Sequence, residues 1–127
     1  MKSILYVEDD KDTAEAVKLL LERAGFAVDF ALTGTEGLQK AGANQFDLVL
    51  LDVLLPDMKG WDVFSSLREK NYSTKFAFIS IVPITKEKRS ELEAAGVVDY
   101  ISKPFGREEL IGRISKIFEA GTNGRHL

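Results

Sequence analysis

Residues 48–60 read LVLLDVLLPDMKG. Four unbroken apolar residues run straight into Asp52, and a turn-prone stretch with Pro56 and Asp57 closes on Gly60. A short continuous apolar run of this kind suits a strand covered on both faces, as in the middle of a parallel sheet. Working outward, Ser3–Val7 (SILYV) and Phe76–Val82 (FAFISIV) are of the same nearly continuous type. Phe26–Ala31 (FAVDFA) alternates more, with Asp29 inside it, as an edge strand does, and Val97–Ile101 (VVDYI) makes a fifth.

The gaps between these runs carry helical spacing. Ala14, Val17, Leu20, Leu21 and Ala24 recur three and four residues apart, and Gly25 follows where a helix-ending glycine belongs. Thr35 is expected to cap a short second helix through Ala43, with Leu38 and Ala41 inward. Trp61, Phe64 and Leu67 mark a third after Gly60. A fourth covers Lys86 to Ala95 with Gly96 as its stop, and a fifth covers Glu108 to Ala120 on a stripe of Leu110, Ile111, Ile114, Ile117 and Phe118. Strand then helix, five times over, predicts an α/β fold with a parallel sheet and helices on both faces. The glycine-rich end, residues 121–127, is expected to fray as a flexible tail beyond a single domain spanning 1–120.

Composition narrows the chemistry. The 127 residues contain no cysteine and one histidine, His126, which excludes disulfides, thiolate chemistry, a Ser-His-Asp triad and multi-histidine metal sites. A net charge of -3 offers no basic footprint for nucleic acid or anionic membranes. No run approaches the roughly 18 apolar residues of a membrane helix, and the N-terminus turns acidic too soon for a signal peptide. A cytoplasmic location is therefore expected.

In open parallel sheets, ligands bind beyond the carboxyl ends of the strands. There the first strand presents Glu8, Asp9 and Asp10, the third Asp52, the fourth Ser80, and the fifth Lys103-Pro104, while the second presents only Ala31 and Leu32. Clustered carboxylates repel unless a cation intervenes, and a hard divalent ion such as Mg2+ suits oxygen ligands. Lys103 and Ser80 add a positive charge and a hydroxyl. Such a pocket fits a phosphoryl group carried by an aspartate. Asp10 reads as a capping or supporting residue, Asp57 as a solvated turn residue, and Trp61 as packing at a helix start.

On these motifs the chain resembles the receiver domain of two-component response regulators, the CheY-like superfamily. The resemblance spans about residues 3 to 119. It implies the flavodoxin-like (βα)5 three-layer sandwich with strand order 2-1-3-4-5. It implies that Asp52 accepts a phosphoryl group from the phosphohistidine of a sensor histidine kinase or phosphotransfer protein. Ser80 and Lys103 contact that group, and Glu8, Asp9, Asp52 and the Leu54 backbone carbonyl hold Mg2+. It further implies that Ser80 and Tyr100 form a switch that alters the surface of the fourth helix, fifth strand and fifth helix, and that the Lys103–Pro104 peptide is cis. Such a domain is a signalling element with at most slow self-dephosphorylation rather than an enzyme.

This chain departs from the family at Ile81, where a small residue is usual, and Ile81 is expected to narrow access to the pocket or restrict Ser80. Leu54 and Val82 are apolar where the family's residues influence how water reaches the acyl phosphate, which suggests a slow loss of the phosphoryl group. The alternative is a phosphorylation-independent interaction module of the same fold. An aspartate-nucleophile hydrolase would want a second Asp where Leu54 stands, and a Rossmann module would want glycines where Glu8-Asp9-Asp10 stands. With the length consumed by five units, the chain is expected to act only through partners. These are an unknown output protein, with no direct contact to nucleic acid or membrane, and the chain itself is a monomer or weak dimer.

Overall fold

The computed structural model describes residues 1–70 and 73–123. The elements alternate as β1 (Ser3–Val7), α1 (Lys11–Arg23), β2 (Ala27–Ala31), α2 (Gly34–Ala43), β3 (Leu48–Leu51), α3 (Gly60–Arg68), β4 (Lys75–Ser80), α4 (Lys86–Ala94), β5 (Val97–Ser102) and α5 (Arg107–Asn123). All strand pairs are parallel, in the order β2-β1-β3-β4-β5. The apolar runs of β1, β3 and β4 therefore lie inside the sheet, and the more polar β2 lies at its edge. α5 continues past Ala120, where the sequence stripe ended, to Asn123; the remainder of the expected tail, 124–127, lies outside the described residues.

Strand alternation sorts the core into two layers. Leu5 and Val7, Val49 and Leu51, and Phe76 and Phe78 face α2, α3 and α4, where they meet Ala41, Val63, Phe64, Leu67 and Leu92. Ile4 and Tyr6, Leu48 and Leu50, and Ala77 and Ile79 face α1 and α5, against Val17, Leu21, Leu110, Ile114 and Ile117. In β5 this alternation is broken. The register shifts between Phe76 and Ala77 of β4, so that Val97 and Tyr100, three residues apart, enter the same layer while Val98 turns outward. The bulge is what aims Tyr100 toward α4.

Local chemistry ends and begins the helices. At the end of α1 the Phe26 N–H donates to Leu21 and the Gly25 N–H to Glu22, with Gly25 at φ 102°, a left-handed position that glycine occupies without strain. The cap of α2 is Thr33, not the expected Thr35. The Thr33 hydroxyl accepts from the Glu36 N–H at 3.0 Å while the Glu36 carboxylate accepts from the Leu32 N–H at 2.8 Å. This reciprocal pattern of Thr with Glu three residues on was present in the sequence and outcompetes Thr35. α4 begins at Lys86 under a Thr85 cap.

Candidate phosphoacceptor site

The parallel ladder delivers the carboxyl ends of β1, β3, β4 and β5 to one rim. The Asp52 N–H donates to Val7 at 3.0 Å, which places Asp52 beside Glu8, and the Lys103 N–H donates to the Ser80 carbonyl at 2.9 Å, which places Lys103 beside β4. The Lys103–Pro104 peptide is cis. Carboxylate oxygens of Glu8, Asp9 and Asp52 lie within 4.8 Å of one another. Glu8 and Asp52 are buried, at 2% and 6% exposure, while Asp9 is open to solvent.

Lys103 ties the cluster together. Its ammonium reaches Glu8 Oε1 at 2.5 Å and Asp52 Oδ2 at 2.9 Å. Glu8 is further held by the Tyr6 hydroxyl at 2.8 Å and the Asp10 N–H at 3.0 Å. Burial pushes the Glu8 carboxyl up, but hydrogen bonds from Lys103, the Asp10 N–H and Tyr6 outweigh it and hold the group below its ordinary value. Burial and the neighbouring Glu8 carboxylate push Asp9 up. Burial opposes the charge on Lys103, yet the hydrogen bonds to Asp52 and Glu8 prevail and raise it. Three carboxylates against one ammonium leave negative charge uncompensated. The residues therefore fit a hard, oxygen-seeking divalent cation such as Mg2+.

The expected switch residues sit next to this cluster. Ser80 is fully buried, and its hydroxyl accepts from the Val82 N–H at 3.2 Å. Tyr100 lies inward, 4% exposed, and its hydroxyl donates to the Val82 carbonyl. Val82 thus links the two through its backbone. Ile81 is 67% exposed and Leu54 46% exposed, so Ile81 stands out in solvent rather than narrowing the pocket as expected. The Asp10 side chain accepts from the Thr13 hydroxyl and makes no backbone cap to α1.

The loop after Asp52 is tightly built. The Leu54 N–H donates to Asp52 Oδ1 at 3.2 Å, Leu54 bridges Lys59, and the Gly60 N–H donates to Val53 at 2.8 Å. Asp57 is not merely solvated: its carboxylate accepts from the Gly34 N–H at 2.8 Å, the Thr35 N–H at 2.9 Å and the Thr35 hydroxyl at 2.6 Å. Those bonds lower it to about 2. Sequence reasoning missed this link, and it missed Tyr6, which looked like one more residue of an apolar strand.

Comparison with known proteins agrees with the geometry. A model of the response regulator receiver domain matches residues 4–115. The chain belongs to the response regulator receiver family. It is 40% identical over 111 residues to the transcriptional regulatory protein DltR of Streptococcus agalactiae, covering 87% of this chain and 49% of that protein. Among solved structures it is similar to a CheY-like receiver domain protein from Methanospirillum hungatei (30% identity, TM-score 0.86, 94% of each chain). It is also similar to the response regulator TrrA from Thermotoga maritima in complex with Mg2+–BeF (31% identity, TM-score 0.79, 92% of this chain and 99% of that one).

The chain spans about half the length of the curated relatives it matches. Several of them are named transcriptional regulatory proteins. This overturns the expectation of a chain with no nucleic-acid partner that acts only through an unknown output protein. The charge of -3 describes these 127 residues alone and carries no information about the half of such regulators that lies outside the match.

Proposed function

We propose that Asp52 accepts the phosphoryl group from a partner's phosphohistidine. An Asp52 carboxylate oxygen forms the new P–O bond as the P–N bond to the donor imidazole breaks, and the imidazole departs with the bonding electrons. The Lys103 bridge between Asp52 and Glu8 carries this reading, because it holds a cation against the acceptor and beside a deficit of positive charge. Asp9, Asp52, Glu8 and the Leu54 backbone carbonyl would hold Mg2+, which when bound supplies charge that offsets the phosphoryl oxygens. Ser80 and Lys103 then serve as donors to the phosphoryl group. Tyr100 reports the change to the surface of α4, β5 and α5 by population shift. A cytoplasmic location and a working unit over residues 1–120 accompany this reading.

Incubation with acetyl phosphate and Mg2+ is expected to add one phosphoryl group, read by mass spectrometry, and Asp52→Ala to add none. A phosphoryl group found on Asp52→Ala refutes the assignment.

Loss of the group is expected to be slow. Leu54 and Val82 offer no side-chain hydrogen bond to an attacking water. Leu54→Asn is expected to shorten the lifetime of the phosphorylated form several-fold, followed by release of inorganic phosphate. An unchanged lifetime counts against this account.

A further inference from the structure

We propose that Asp57 is a positioning residue for the metal-facing loop, acting by clamping that loop to the N-terminus of α2. This rests on the reading that the Leu54 carbonyl faces Mg2+. One end of the loop is anchored by Gly60, which is buried against the Asp52 carbonyl. Its tip is otherwise weakly held: Leu54, Pro56, Asp57 and Lys59 are exposed, and only Leu55 and Met58 pack partly against the core.

The three hydrogen bonds from Gly34 and Thr35 to Asp57 supply the missing anchor, across 22 and 23 positions of chain. A carboxylate also complements the positive end of the α2 dipole. Met58 seats on the same spot, its Cγ 2.4 Å from where a Cβ on Gly34 would stand, so the loop side chain packs directly on the start of the helix and any added Cβ would force it to shift. Leu54 and Lys59 are bridged across residues 55–58, so the clamp at Asp57 bears on the Leu54 backbone. Groups that orient a metal ligand commonly alter metal affinity on removal by on the order of 10-fold or more.

The test is Mg2+ titration by calorimetry on the whole chain, with three variants. Asp57→Ala is expected to raise the Mg2+ Kd on the order of 10-fold, and Thr35→Val, which removes only the hydroxyl, by a fraction of that. Thr33→Ala removes the cap of the same helix without touching the loop; it is expected to lower the melting temperature and leave the Mg2+ Kd unchanged. Amide exchange in metal-free Asp57→Ala should show lost protection at Gly34, Thr35 and Leu54. The inference is overturned if Asp57→Ala leaves the Kd unchanged, or if Thr33→Ala shifts it equally, since that effect belongs to helix stability alone. Wild-type protein that binds no Mg2+ overturns the site reading as well, so the two failures are distinct.

Discussion

Lys103→Ala is expected to be destabilised by about 2–4 kcal/mol and to melt about 10 °C lower, because it strands buried carboxylates without their cation. The Lys103 side chain is only 17% exposed and its ammonium serves two carboxylates at once, so water replaces it poorly. Mg2+ is expected to restore part of the loss by supplying charge to the same cluster, and thermal melts with and without Mg2+ measure both effects. A variant that melts like wild type without Mg2+ contradicts the role assigned to the bridge. Phosphoryl uptake should remain impaired even with Mg2+ present, since the ion does not replace a donor to the phosphoryl oxygens.

The same bridge sets a pH window. Glu8 lies below its ordinary value when folded, so its contribution is complete above the unfolded pKa of about 4.3 and is lost as pH falls through the folded value. Lys103 lies above its ordinary value, so its contribution is complete below about 10.4 and lost only as pH rises through the folded value. Asp9 acts in the opposite sense: raised on folding, it costs stability once ionised, and acid relieves that cost. Between the two limits the bridge persists.

Gly60→Ala is the second large effect. A Cβ there would stand 2.1 Å from the Asp52 carbonyl oxygen and 3.0 Å from the Asp52 carbonyl carbon and Val53 Cα. These are backbone atoms, so no rotamer change relieves the overlap. The loss is expected to be about 3 kcal/mol or more in urea unfolding. The shift falls on Asp52, the proposed phosphoacceptor, so phosphoryl uptake should fall as well. Gly42→Ala is the contrast: it lies in α2 with nothing within 4 Å of the added methyl, and is expected to gain about 0.5–1 kcal/mol from helix preference. A Gly60→Ala protein as stable as wild type would show that the loop has room that the structure denies.

The fold was legible because its signals are local. Continuous runs such as LVLL and FAFIS require cover on both faces, and glycines at 25 and 96 stop helices by their own backbone freedom. The residues at the strand ends could be placed together because a parallel sheet delivers all its carboxyl ends to one side. What escaped depends on partners far along the chain. Asp57 looks like any turn aspartate until α2 stands beside it, and Tyr6 looks apolar until its hydroxyl meets Glu8 at the rim. The β5 bulge is set by pairing with β4, so the inward aim of Tyr100 could not be counted off from Val97 by alternation. The prospect of a nucleic-acid partner escaped for another reason: it comes from the names of relatives about twice as long as this chain, not from any residue in it.

The tilted contact between Trp61 of α3 and Phe78 of β4 has a practical consequence. Trp61 is the only tryptophan in the chain and directly follows Gly60. Its ring lies 4.5 Å from that of Phe78, and the Lys88 ammonium of α4 hovers 4.7 Å from its centre. An indole under a positive charge emits at a wavelength that depends on that charge. Trp61 emission is therefore expected to shift as phosphoryl donor is added if the third and fourth helices move relative to each other, and fluorescence spectra recorded during the addition measure it.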